Sequence, residues 1–323
     1  MDSFLEQSGY GNWVFSVLTA DASFRRYLRG SFKDQSLILM DAPPHTEEKI
    51  GPFLRITEVL REFGLRSPKI EAFNEELGFI LMEDFGDALI AQEAQRDAHS
   101  EDRLYDVALE CLKTVWSHEP PNDLASYDRQ TYQRESSLVH QWYLASCSTN
   151  AISEFERSLD AALARLSGLS PVLVLRDYHA ENLIALDKGT GVECLGLLDY
   201  QDALAGHPAY DLVSLVEDAR RAVPTTIRDR LISGAAEFLG LDEDTFRSDI
   251  AILGAQRNLK IIGIFARLSI RDGKTKYPAM IPHVFDLLAM DLAHPSTEEL
   301  AVWCEANLAP PSREKIASLK AVA

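Results

Sequence analysis

The chain is short of the residues that staple a fold or anchor it in a membrane. Only four of its 323 residues are cysteine (Cys111, Cys147, Cys194 and Cys304), and no two form a CxxC pair. That spacing argues against a disulfide framework or a zinc site and suits a reducing compartment. No apolar run reaches the roughly 20 residues of a membrane-spanning helix. The opening segment, MDSFLEQSGYGNWVF, has no basic stretch followed by an apolar one, so no secretory signal is read there and a cytoplasmic location is expected. Positive charge is scarce too: 32 Lys and Arg stand against 50 Asp and Glu, a net charge of -18. A field of that sign repels phosphate backbones and anionic lipid, so neither nucleic acid nor membrane is expected as a partner. No internal repeat and no low-complexity tract is found.

What remains is an ordinary globular composition, 46% hydrophobic and 25% charged, enough for one large domain or two modest ones. Residues 13–19, 24–29 and 36–41 read as strands, with turns at 20–23 and 30–35. A helical pattern covers residues 47–63, with Pro52 near its start and Gly64 as its C-terminal cap. Two further strands are expected at 69–73 and 78–83. After Phe85-Gly86, helical patterns dominate: 101–118, 131–146, 153–167, 209–222, 225–239, 244–271, 280–293 and 297–308. Short apolar runs within 171–199 read as strands. The expected fold class is α+β, with a small β-rich lobe over residues 1–85 and a larger, mainly helical lobe over 86–323.

The chemistry concentrates in Leu175-Arg176-Asp177-Tyr178-His179-Ala180-Glu181-Asn182-Leu183-Ile184 and in Leu197-Leu198-Asp199-Tyr200-Gln201-Asp202-Ala203. Asn182 opens an apolar strand, and a second apolar strand closes on Asp199. Phosphoryl transfer asks for such a set. Its transition state carries diffuse negative charge, so catalysis is largely positioning and neutralisation. One carboxylate, Asp177, takes the acceptor's proton. An amide oxygen and a carboxylate, Asn182 and Asp199, suit Mg²⁺, a hard cation that prefers oxygen.

This stretch, continued by HPAYDLVSL, resembles the aminoglycoside phosphotransferase and choline kinase family, which has a two-lobed protein-kinase-like fold. The resemblance covers essentially the whole chain. It implies an enzyme using ATP and Mg²⁺ to phosphorylate a small-molecule alcohol, with Asp177 as base and Asn182 and Asp199 as metal ligands. It further implies Asp211 as a structural brace of the catalytic loop, His179 as a loop-orienting residue and Asp202 as part of the substrate site. The hinge residues Met82, Glu83 and Asp84 would face the adenine. Ser23, with Arg25 or Arg26, would lie near the phosphates.

One position departs from the family pattern. A Lys, paired with a helix Glu, is expected at the end of the third strand, where this chain reads Met40-Asp41. Glu47, Glu48 and Glu58 therefore lack that partner. Either Arg25 or Arg26 supplies the charge, or the chain is a weakened or inactive relative. The runs DASFRRYLR, SLILMDAPP and GFILMEDFGD are similar to the bacterial anomeric sugar kinases of cell-wall recycling, where the Lys position also tends to read MDAPP. Those enzymes act on N-acetylmuramate and N-acetylglucosamine. At about 100° per residue, Arg257, Lys260, Arg267 and Arg271 fall in a stripe about 80° wide. That stripe reads either as a solvated face or as an anion-binding wall suited to an acidic amino sugar. Aminoglycosides and choline-like alcohols are the alternative acceptors.

Overall fold

The computed structural model describes residues 1–18, 25–44, 49–144, 146–187 and 189–320, which form two compact units. The first unit comprises Met1–His118 and Leu175–Ala203, and the second comprises Glu119–Val174 and Leu204–Ala323.

The first unit opens with helix α1 (Asp2–Gln7) and strands β1 (Val14–Val17), β2 (Arg26–Phe32) and β3 (Gln35–Asp41). Helix α2 (Gly51–Glu62) precedes β4 (Ile70–Asn74) and β5 (Phe79–Glu83). The strands form one antiparallel sheet in the order β1-β2-β3-β5-β4. Strand alternation divides its apolar side chains. Leu28, Leu37, Leu39, Phe79 and Leu81 pack with Phe4 and Leu5 of α1, whereas Tyr27, Ile38, Met40, Ile80 and Met82 take the other face.

β2 runs straight through Gly30, where the sequence suggested a turn. A Cβ there would lie 2.5 Å from the Phe15 ring, so an aromatic from β1 occupies the space a side chain would fill. The hairpin instead turns at Lys33, which takes a positive φ of 54°. α2 begins at Gly51 with Pro52 in its first turn, where a missing N–H costs nothing. It ends on Gly64 at φ +79°, with Leu65 N–H bonded to Leu60 O at 2.9 Å and Gly64 N–H to Arg61 O at 3.0 Å. This is the two-bond helix stop that a left-handed glycine allows.

Past β5, helices α3 (Ile90–Arg96) and α4 (Ala98–Trp116) complete the first stretch of this unit. α3 was not anticipated from the sequence. Arg29 of β2 pins the segment leading to it, with 2.7 Å bonds to both oxygens of Asp87 and a 2.8 Å ion pair to Asp84.

In the second unit lie α5 (Arg129–Ser136), a π-helical turn at Val139–Tyr143, α6 (Thr149–Leu163) and β6 (Val172–Val174). The helix expected over 131–146 is thus split. The chain returns to the first unit for β7 (Leu183–Ala185) and β8 (Leu195–Leu197). It then continues through β9 (Leu204–Gly206), α7 (Ala209–Val216), α8 (Thr225–Leu239), α9 (Glu243–Ile270), α10 (Ile281–Leu292), α11 (Glu298–Asn307) and α12 (Arg313–Lys320). β6 and β9 pair antiparallel. The long α9 is buried on nearly every side, so it is the axis around which the second unit packs. Gly263 lets it approach the backbone of Leu138, whose carbonyl carbon would lie 2.3 Å from a Cβ at this position. No described helix is long and apolar enough to cross a membrane.

Candidate active site

Two short strands bring the site together. β7 and β8 pair antiparallel, Leu183 opposite Leu197 and Ala185 opposite Leu195. Asn182 immediately precedes one strand and Asp199 closely follows the other, so both sit at the same end of the ribbon. The pairing extends one step further, Leu198 N–H donating to Asn182 O at 3.0 Å. The ribbon is joined to the rest of the first unit through Leu197 N–H to Arg66 O at 2.8 Å and Ala185 N–H to Ala88 O at 2.8 Å. Phe85 lies against Gly196, where a Cβ would meet its ring at 2.5 Å.

The loop before β7 is wound tightly. Arg176 takes φ +73°, and Asp177 N–H bonds back to Leu175 O at 2.9 Å across it. This is a γ-turn with a positive φ at its centre, a strained conformation for a residue with a Cβ. His179 N–H donates to Asp177 O at 3.1 Å, and Asn182 N–H to His179 O at 2.9 Å. Tyr178 is buried and its hydroxyl donates to Ala108 O at 2.9 Å, fixing the loop to α4. Arg176 Nη1 donates to Asp202 O at 3.3 Å, which ties this loop to the segment after β8.

The Asn182 amide is the meeting point. Its Nδ2 lies 2.9 Å from Asp177 O, 3.3 Å from His179 Nε2 and 3.4 Å from Asp199 Oδ2. Asp199 also takes a positive φ, 58°. Tyr200 anchors it from the next position, buried beneath α2 with its ring stacked 5.1 Å from Phe53 and its hydroxyl 2.7 Å from Thr57 Oγ1. Gln201 Nε2 donates to Asp199 Oδ1 at 2.9 Å and to Asp202 Oδ2 at 3.3 Å.

Three carboxylates therefore crowd one place. Asp177, Asp199 and Asp202 all keep contact with solvent, but the surrounding protein strips hydration from Asp199. Burial, then the charges of Asp177 and Asp202, push its carboxyl above the ordinary value, against the Gln201 bond and the charge of Arg25. Such a cluster favours a bound cation. No group of three or more His, Cys, Asp or Glu side chains able to hold a metal is found among the described residues. The oxygen-bearing pair Asn182 and Asp199 instead suits Mg²⁺, which takes few protein ligands and completes its shell with water and phosphate.

The other expected residues fall as follows. Ser23, Glu47 and Glu48 lie outside the described residues, and Glu58 is exposed on α2. Arg25 is buried, whereas Arg26 forms an ion pair with Asp41. Met82 is buried. Glu83 pairs with Arg66 at 2.7 Å and accepts Lys69 N–H at 3.1 Å, and Asp84 is held by Arg29. His179 is buried within the loop. Asp211 is buried in the first turn of α7, where the helix dipole favours an acid.

In the basic stripe, Arg257 is buried and donates to Ser214 Oγ at 2.8 Å and Glu217 O at 3.3 Å, bracing the end of α7. Lys260 pairs with Glu135 at 2.8 Å and Arg271 with Asp272 at 2.6 Å. Arg267 is half-buried, and burial together with Arg271 lowers its pKa. Sequence reasoning missed Tyr178, Tyr200 and Gln201 as anchors, although all three lie inside the motif it singled out.

An antiparallel sheet unit carrying this Asp–Asn–Asp constellation, interleaved in sequence with a mainly helical unit, has the organisation of a protein-kinase-like small-molecule kinase. The chain belongs to the phosphotransferase enzyme family, whose model matches residues 14–246. A protein of Caulobacter vibrioides named N-acetylmuramate/N-acetylglucosamine kinase is 32% identical, over 93% of this chain and 94% of its own length. One of the same name from Pseudomonas aeruginosa is 33% identical over 87% and 85%. Among solved structures, the choline kinase LicA from Streptococcus pneumoniae shares the fold with a TM-score of 0.64 at 15% identity, over 90% of this chain and 98% of that one.

Proposed function

We propose that the enzyme transfers the γ-phosphate of ATP, with Mg²⁺, to the anomeric hydroxyl of N-acetylmuramate or N-acetylglucosamine, in the salvage of cell-wall sugars. The observation that carries the phosphoryl-transfer reading is the approach of Asn182 Nδ2 to Asp199 Oδ2, 3.4 Å, beside the Asp177 loop. The acceptor is supported by the two relatives above, which match along most of their length.

In this reading residues 1–85 form the nucleotide-binding lobe and 86–323 the lobe with the catalytic loop. Asn182 and Asp199 would hold Mg²⁺ through their side-chain oxygens; the ion, when bound, offsets charge on the phosphates. Asp177, exposed on its strained loop, accepts the proton of the attacking hydroxyl as the oxygen bonds to phosphorus and ADP departs. Arg176 and Tyr178 hold that loop in place. Met82, Glu83 and Asp84 border the adenine, Asp202 the acceptor, and the pairs Arg66–Glu83 and Arg29–Asp84 keep that border fixed. ATP as donor and four free thiols suit the cytoplasm.

Acceptor-dependent ADP release tests the proposal, with N-acetylmuramate, N-acetylglucosamine, kanamycin and choline compared side by side. Turnover with either amino sugar is expected. Turnover with kanamycin or choline alone would reassign the acceptor, and ATP binding without any turnover would mark an inactive relative.

A further inference from the structure

A triphosphate brought beside Asp177, Asp199 and Asp202 is favoured by positive charge in addition to the metal, and the sheet is one source of it. The start of β2 offers two adjacent arginines, Arg25 just before the strand and Arg26 at its first position, and strand geometry separates them. Side chains alternate along a strand, and directly paired residues share a face. Leu28 and Leu39, an opposed pair, pack on the α1 side of the sheet. Arg26 opposes Asp41, two residues along from that pair, so it stands on the same side, ion-paired with Asp41.

Tyr27 opposes Met40 on the other face, and Arg25, the residue before β2, continues that face. On this face the positive charge of Arg25 reaches the catalytic segment, where it favours the ionised form of Asp199. Arg25 is only 6% exposed, so its charge is poorly screened by water. Met40, fully buried on the same face, brings no charge from β3.

We infer that Arg25, and not Arg26, is the cation that binds the nucleotide phosphates, facing the Asp177–Asp199–Asp202 cluster from the sheet. The inference rests on the kinase reading above. Between nucleotides, the guanidinium offsets the charge of Asp199; with nucleotide bound, its planar fork is matched to two phosphate oxygens. Arg26 belongs to the sheet, neutralising the buried Asp41.

Equilibrium titration of the full-length protein with ATP, ADP and adenosine, each in excess Mg²⁺, tests this. Arg25→Ala is expected to weaken ATP and ADP about 10- to 100-fold, the range for a lost charge-assisted hydrogen bond at a binding site, and to leave adenosine affinity within about twofold. Arg25→Lys, which keeps the charge but not the fork, should recover part of the ATP affinity and Arg25→Gln none. If Arg25→Ala fails to fold, the Lys and Gln variants decide, and equal ATP affinities in those two overturn the inference. It is equally overturned if Arg25→Ala binds ATP like the wild type, or if Arg26→Ala causes the larger loss. A wild-type protein that binds no ATP would overturn the nucleotide reading itself, whereas wild-type binding with an indifferent Arg25 sinks only this assignment.

Discussion

Asn182 Nδ2 lies 3.4 Å from Asp199 Oδ2 although 17 residues separate the two in the chain. The three-residue strands between them make that meeting possible. β7 leaves from Asn182, β8 returns to Leu197, and Asp199, itself in a left-handed conformation, follows two residues on. A backbone conformation this uncommon for a residue with a Cβ persists where the neighbours over-determine it. Here Tyr200, locked under α2, supplies the constraint.

The division of labour between base and metal ligand predicts two distinguishable losses. Asp177→Asn keeps the shape of the loop but removes the proton acceptor. Its turnover should fall about 100- to 10,000-fold, the usual worth of a general base, with ATP affinity near that of the wild type. Asp199→Ala should weaken Mg-ATP binding itself and shift the Mg²⁺ dependence to higher concentration. Initial rates and nucleotide titrations at several Mg²⁺ concentrations read both effects. An unaltered Mg²⁺ dependence in Asp199→Ala would remove that residue from the metal site.

Tyr200 gives a graded test of the anchor. Thr57 Oγ1 already donates its single proton to Phe53 O, so the Tyr200 hydroxyl is the donor in the 2.7 Å contact between them. Tyr200→Phe loses that bond and keeps the stack on Phe53, at a cost of about 1 kcal/mol in urea unfolding. Tyr200→Ala loses the ring as well, about 3–5 kcal/mol for a large buried aromatic, and should also lower turnover because Asp199 is no longer held. A Tyr200→Ala protein that is destabilised but turns over normally would show that the anchor serves the fold alone.

The motif was legible because its chemistry is local in sequence. Asp177, Asn182 and Asp199 announce themselves through residue type and the strands between them, and the sheet strands through their apolar runs. What escaped reading depends on partners remote in the chain. Gly30 looks like a turn until Phe15 is known to lie over it. The α9 stripe read as a solvated face or an anion-binding wall, but Arg257 is buried and finds its acceptors at Ser214 and Glu217, some 40 positions away. The Arg29 clip onto Asp84 and Asp87 spans 55 and 58 positions and has no local signature. α3 and β9 are too short, at 7 and 3 residues, for periodicity to speak.

Gly263 tests close packing of helix against backbone. Alanine is worth about 1 kcal/mol more than glycine in a helix interior, so the substitution starts with a gain. Its Cβ would lie 2.3 Å from the Leu138 carbonyl carbon and 2.6 Å from its oxygen, and backbone cannot swing aside as a flexible side chain can. Overpacking of this kind costs about 1–3 kcal/mol or more, so a net loss is expected in urea or thermal unfolding of Gly263→Ala. A melting temperature at or above the wild-type value would show that α9 can shift away from Leu138.

The buried acids of the second unit predict how stability depends on pH. Glu217 and Asp291 are both buried, and one Asn258 amide nitrogen reaches the two, at 3.1 Å and 2.9 Å. Burial pushes both carboxyls above their ordinary values. Arg228, 3.0 Å from Glu217, keeps that acid charged, so the proton resides on Asp291, whose pKa the Glu217 charge raises further. Above the ordinary Asp value the folded chain thus holds a proton that the unfolded chain has released. Stability contributed by this site is complete below that value and declines as pH rises towards the folded-state pKa of Asp291. Asp291→Asn mimics the protonated acid, since its oxygen can accept from Asn258 and its NH₂ can donate to Glu217. The variant should unfold at higher temperature than the wild type at neutral and mildly alkaline pH, and the difference should shrink on acidification. Thermal melts across that range check it, and a gap that widens towards acid would place the proton elsewhere.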